Sequence, residues 1–121
     1  MNIAEIKKLG TELTGVKITS EKYEGTRVTH DIDKINGKIK TWINIDEHQL
    51  NSLKDEFKAR KLNWEHRTLV ALLHEVGHLK KSKKYKDIWD FDKEYRNNNK
   101  YQEALADRYA RLNYKRFIKT F

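Results

Sequence analysis

The chain of 121 residues carries a formal charge of +8 and contains no Cys and no Pro. Its length fits one domain, 1–121, with a modest core, and three Trp, six Tyr and four Phe speak against disorder. Disulfide scaffolds and thiolate metal sites are excluded, and the longest uncharged apolar run, Thr68–Leu73, is far too short to span a bilayer.

Positive charge favours anionic partners such as nucleic acid. Lys nonetheless outnumbers Arg heavily, as a compositional bias alone would produce, so nucleic acid ranks as a rival partner. Four of the five Gly precede residue 38, and only Gly77 follows. The expected order is a turn-rich, strand-bearing first half and a helical second half, an α+β chain.

Asn2 and Glu5 form a capping-box pattern ahead of Ile3, Ile6, Leu9 and Leu13, which predicts a first helix ending near Gly15. Val16–Thr19 and Arg27–Ile32 read as short strands, and Asn36-Gly37 signals a hairpin turn. Beyond it, Ile39, Thr41, Ile43 and Ile45 alternate with Lys38, Lys40, Trp42 and Asn44. The polar half of that alternation predicts an exposed or edge strand. Asp46 opens a helix expected to run to about Lys61 with Leu50, Leu53 and Phe57 inward. Asn63 caps the next, whose broad apolar face of Trp64, Leu69, Leu72, Leu73, Val76 and Leu79 makes it central. Lys80, Lys81, Lys83, Lys84 and Lys86 read as its solvated end. A short helix over Asp87–Tyr95, a loop at Asn97–Asn99 and a final helix over Tyr101–Phe117 complete the chain. The final helix is expected to bury Leu105, Tyr109 and Leu112.

Inside the central helix, His74-Glu75-Val76-Gly77-His78 reads H-E-x-x-H. A chance match in a chain of this composition is expected about 0.02 times. Positions i and i+4 lie one turn apart on one helical face, so the two imidazoles can share one Zn²⁺. Glu75, displaced by one residue, is placed to take a proton from metal-bound water. A catalytic zinc needs a third protein ligand. An extended motif with a third His is absent, because Lys81 and Lys84 hold the positions of its Gly and His. Glu103-Ala104-Leu105-Ala106-Asp107 offers a carboxylate from the final helix, with Glu103 the first choice and Asp107 and Glu94 as competitors. With Glu103 ligating, Asp107 can accept a hydrogen bond from the far nitrogen of a ligating imidazole, His74 first. Ala104 and Ala106 are small enough for close helix packing. Gly77 costs about 1 kcal/mol relative to Ala within a helix, which predicts close approach of another backbone beneath the zinc.

His74–His78 together with Glu103–Asp107 resembles the gluzincin metallopeptidases, and the small size resembles the compact minigluzincins. The resemblance implies that His74, His78 and Glu103 ligate zinc, that Glu75 is the general base and acid, and that Asp107 supports a ligating His. It implies a small mixed β-sheet packed on an active-site helix and a C-terminal glutamate helix. The edge strand of that sheet would border the cleft and pair with an extended substrate, and Lys38–Ile45 is the candidate. Tyr101, Tyr109, Tyr114 and His66 are candidate oxyanion donors, none selected by spacing; His30 and His48 have no motif context.

The function expected is zinc-dependent endopeptidase action on protein or peptide substrates. Compact members of the family are often latent, so Phe117–Phe121 is expected either to dock in a cleft, on its own chain or on a neighbouring copy, or simply to pack. The rivals are a basic nucleic-acid-associated protein and a zinc-stabilised regulatory module without turnover. The first residues do not read as a signal peptide, and a cytoplasmic location without membrane contact is expected.

Overall fold

The computed structural model describes residues 2–82 and 88–118. Within them lie six helices and one three-stranded mixed sheet, an α+β arrangement. Helix α1 (Ile3–Thr14) starts at the expected capping box: the Asn2 side chain accepts from the Glu5 N–H at 2.9 Å, and Glu5 Oε1 accepts from the Asn2 N–H at 3.2 Å. It ends at Gly15, whose φ of +75° few other residues adopt and whose N–H reaches back to the Thr11 carbonyl.

Strands β1 (Lys17–Thr19), β2 (Arg27–Ile32) and β3 (Ile39–Asn44) are ordered β1-β3-β2. Ile43 pairs with Ile18 in parallel and with Val28 antiparallel, so the strand expected at the edge is the central one. β3 is a strand, as its alternation predicts, but burial rises along it from exposed Ile39 and Lys40 to buried Ile43 and Asn44, so the alternation marks neither a solvated face nor an edge. The edge beside helix α4 (Arg67–Ser82) belongs to β2. The β2–β3 hairpin turns at Gly37 (φ +70°) in a loop longer than the Asn-Gly pair. Asp33 organises that loop, accepting from the Ile35 N–H with its side chain and the Gly37 N–H with its carbonyl.

The single helix expected over Asp46–Lys61 is two pieces, α2 (Glu47–Leu50) and α3 (Lys54–Ala59). Ser52 causes the break: its N–H and hydroxyl both bond the Gln49 carbonyl, tightening the chain into a turn. Leu50 and Phe57 are buried as expected. Helix α3 ends with Lys61 at φ +57° while the Leu62 N–H reaches the Phe57 carbonyl.

Asn63 caps the turn that leads into α4, its Oδ1 accepting from the His66 N–H. Leu69–Val76 are buried without a break, so α4 is the central element, packed by α1 and the sheet on one side. Its other main neighbour is α6 (Asn99–Ile118), which follows α5 (Ile88–Asn97) almost directly. The expected Asn97–Asn99 loop shrinks to the junction at Asn98, whose N–H and carbonyl both join helical bonds. The buried face of α6 is Gln102, Ala106, Asp107 and Ala110, and Leu112 is 69% exposed. Ala104 is exposed, so Ala106 and Ala110 make the close seam. Drawing the two acids of α6 inward turns the Leu112 face outward. Lys83, Lys84, Lys86 and Asp87 lie outside the described residues, as do residues 119–121. Phe117 and Ile118 belong to α6 and pack on the margin of the core. Among the described residues no helix is long and apolar enough to cross a membrane.

Candidate metal centre

The site forms where α4 and α6 cross. Gly77 makes that crossing close: a Cβ there would stand 3.3 Å from the Ala106 Cα and 3.3 Å from the Tyr109 Cβ. The expected approach of a second backbone beneath the motif is present, and it sets the height of α6 against α4. His74 and His78, one turn apart on α4, bring their Nε2 atoms to 3.0 Å of each other. Glu103 on α6 closes the triangle, with Oε2 2.8 Å from His74 Nε2 and Oε1 3.1 Å from His78 Nε2. Ligand atoms of His74, His78 and Glu103 all lie within 4.8 Å of one another, so the group could hold a metal ion.

The chemistry of the donors fits a cation. His74 Nδ1 lies 2.7 Å from Asp107 Oδ1, the distance of an N–H donated to a carboxylate. With the proton there, Nε2 of a neutral His74 presents a lone pair toward His78 and Glu103. With both imidazoles neutral and unprotonated at Nε2, three acceptors would face one point, an arrangement that a proton or a metal ion between them relieves. The electrostatics agree. Burial disfavours the His74 imidazolium, but Asp107 and Glu103 outweigh it and raise the pKa to about 9. Glu103 is held far below the ordinary carboxylate range, against its own burial, by hydrogen bonds from His74, His78 and Tyr95.

Glu75 is 7% exposed and stands outside the triangle. Burial raises its pKa to about 7, opposed by His74, His78 and a hydrogen bond from the Val28 backbone, with Glu103 adding to the rise. Asp107 falls to about 2: hydrogen bonds from His74 and Arg60 overcome burial. Asp107 pairs with His74 Nδ1 and lies outside the His74–His78–Glu103 group. Glu94 is turned away, its Oε1 accepting from Asn98 Nδ2 at 2.8 Å.

Two residues at the site had no signal in the sequence. Arg60, just past α3, donates from Nε to Asp107 Oδ2 at 2.9 Å and from Nη2 to Oδ1, gripping both oxygens. Tyr95, on α5, donates its hydroxyl to Glu103 Oε1 at 2.5 Å, and burial with that bond lifts its pKa to about 12. The candidate donors from sequence lie elsewhere. Tyr109 packs on Gly77 under Lys80, Tyr114 faces His66, and Tyr101 is exposed. His30 bonds Thr41 on β3, and His48 meets Tyr23 edge-to-face.

A cleft of about 630 Å³ opens on one side of Glu75 and Glu103, bounded by β2 and by Trp89, Phe91, Asp92 and Tyr95 of α5. A second of about 220 Å³ opens on the other side, walled by Leu50, Phe57, Arg60 and Val70. Thr26, Glu75 and Glu103 line both. Compared with known proteins, the chain matches no family model, no curated protein and no solved structure.

Proposed function

We propose that the protein is a zinc-dependent endopeptidase of gluzincin type. One observation carries the reading: two imidazole nitrogens of one helix and a carboxylate of the next converge beside a buried carboxyl group that takes no part in the triangle. Two His and one carboxylate, with no thiolate in the chain, suit zinc and leave a position open for water. Zinc bound by His74, His78 and Glu103 would polarise the scissile carbonyl and acidify the attacking water.

Glu75, poised near pH 7, takes the proton of the attacking water and returns it to the leaving amine. Tyr95 supplies the hydroxyl donor that the developing oxyanion needs, at the price of its bond to Glu103. Asp107 and Arg60 hold His74 in the tautomer whose Nε2 lone pair faces inward. The free edge of β2 borders the larger cleft and can accept an extended peptide by strand addition. Clefts on both sides of the Glu75–Glu103 pair leave room for chain in both directions, which favours internal bonds over chain ends. Phe117 and Ile118 are committed to the core margin, about 22 Å along α6 from Glu103 at 1.5 Å per residue. That favours packing over cleft docking for these two residues.

Elemental mass spectrometry after zinc loading and desalting is expected to find about one zinc per chain, weakened or lost in Glu103→Ala. Glu75→Gln should retain the zinc and lose about 10²- to 10⁴-fold in peptide-bond hydrolysis. A folded wild type without zinc overturns the reading. Zinc-loaded wild type that cleaves no peptide in a diverse library leaves the regulatory module instead.

A further inference from the structure

Helix α6 divides its charges by face. Its two acids, Glu103 and Asp107, both turn to the imidazoles of α4. Lys100, Arg108, Arg111 and Lys115 are all exposed. At 100° per residue these four fall within an arc of about 80°, and the stripe runs about 22 Å along the axis. No exposed position of α6 carries an acid. The other long helices with several exposed residues mix signs: Lys8 with Glu12 on α1, and Asp90 with Lys93 and Arg96 on α5. Arg111 spends one N–H on the Arg60 carbonyl, which ties it to the fold and leaves the rest of its donor fork outward.

We propose that this outer face of α6 docks on the phosphate backbone of double-stranded DNA, without sequence preference. Four cations on a straight rod meet a duplex that offers one negative charge per about 1.7 Å of its axis. Between the four cations the exposed positions are Tyr101, Ala104 and Leu112, with no Asn or Gln to read base edges. A single strand would be held by stacking on several aromatics, and Tyr101 is the one exposed aromatic along the stripe. A lipid surface would need a continuous apolar face; Tyr101 and Leu112 stand about 16 Å apart along the helix at 1.5 Å per residue. None of the four cationic residues lines either cleft, so this surface stands whether or not the metal centre is catalytic.

The test is fluorescence anisotropy of a labelled 20-base-pair duplex with the full chain across about 30–200 mM NaCl. Four phosphate contacts predict a slope of log K against log salt near −3.6. Lys100→Ala/Arg108→Ala/Lys115→Ala should cut affinity by at least about 30-fold and flatten the slope to about −0.9. These side chains are exposed, and the circular dichroism spectrum should not change. Lys8→Ala/Lys34→Ala/Lys54→Ala removes the same charge elsewhere and should keep the wild-type slope. Equal loss in that control overturns the proposal in favour of diffuse charge, and retained affinity in the stripe variant overturns it outright. Polyglutamate bound as tightly as the duplex overturns it in favour of an acidic protein partner.

Discussion

Arg60 and Asp107 are 47 residues apart in the chain, yet one guanidinium holds both oxygens of that carboxylate. The carboxylate in turn holds His74 Nδ1, so the direction of the inner lone pair is set from outside α4. Asp107→Ala should therefore weaken zinc about 10- to 100-fold, and Arg60→Ala should weaken it in the same direction. Competition against a chromophoric chelator measures both, and unchanged affinity in Asp107→Ala would remove the support role. Asn44 shows the same outside control at the cleft mouth. Its buried amide bonds Thr19, Glu21 and the Gly25 carbonyl, shaping the loop that delivers Thr26 to both clefts.

At the scale of elements, two glycines set the spacing of the helices. Gly77 lets α6 approach α4, and Gly10 lets α1 settle on β1 and α4. A Cβ at Gly10 would fall 2.6 Å from Ile18 Cγ1 and 2.9 Å from Leu72 Cδ1. Gly10→Ala gains helix propensity, but overpacking at these distances costs about 1–3 kcal/mol. The net expectation is a lower midpoint in urea denaturation, and an unchanged or higher midpoint would show that α1 shifts freely. The strand pairing has a comparable consequence. Because β3 is bonded on both sides, the unpaired edge beside the larger cleft is that of β2.

For the whole molecule without metal, the centre is a set of opposed charges, and stability should follow pH accordingly. His74 rises from the usual 6.5 to about 9, so its contribution is complete below pH 6.5 and lost as pH climbs through 9. Glu75, raised from 4.5 to about 7, contributes fully below pH 4.5 and loses that contribution as pH climbs through 7. Asp107, lowered to about 2, and Glu103, lowered further, stabilise above the ordinary carboxylate range and fail as pH falls toward 2. Zinc-free protein should be most stable near about pH 4.5 and lose stability as pH climbs from there through 9. Zinc must displace the proton on His74, so apparent zinc affinity should rise by up to about tenfold per pH unit from 7 to 9. Thermal melts and chelator competition across that range check both; a flat zinc affinity would mean that His74 is not a ligand.

The first helix, the β2–β3 hairpin, the central helix and the His74–Glu75–His78 face were legible in the sequence because each rests on local periodicity or a local cap. Glu103 and Asp107 were legible as a pair for the same reason, one helical turn apart. Strand order was not legible, since the alternation in β3 carries no record of which strands flank it. The break at Ser52 turns on one side chain competing for a backbone carbonyl, which propensity averaged over a window hides. Arg60 and Tyr95 were invisible because a guanidinium or phenol joins a site through distance in space, and neither sits at a fixed offset from the motif. What the sequence by itself determined is the set of ligand-type residues and the helices that carry them. What only the tertiary structure decided is that Gly77 and Ala106 bring those helices close enough for the three donors to share one point, because that distance depends on packing between segments and not on spacing within one.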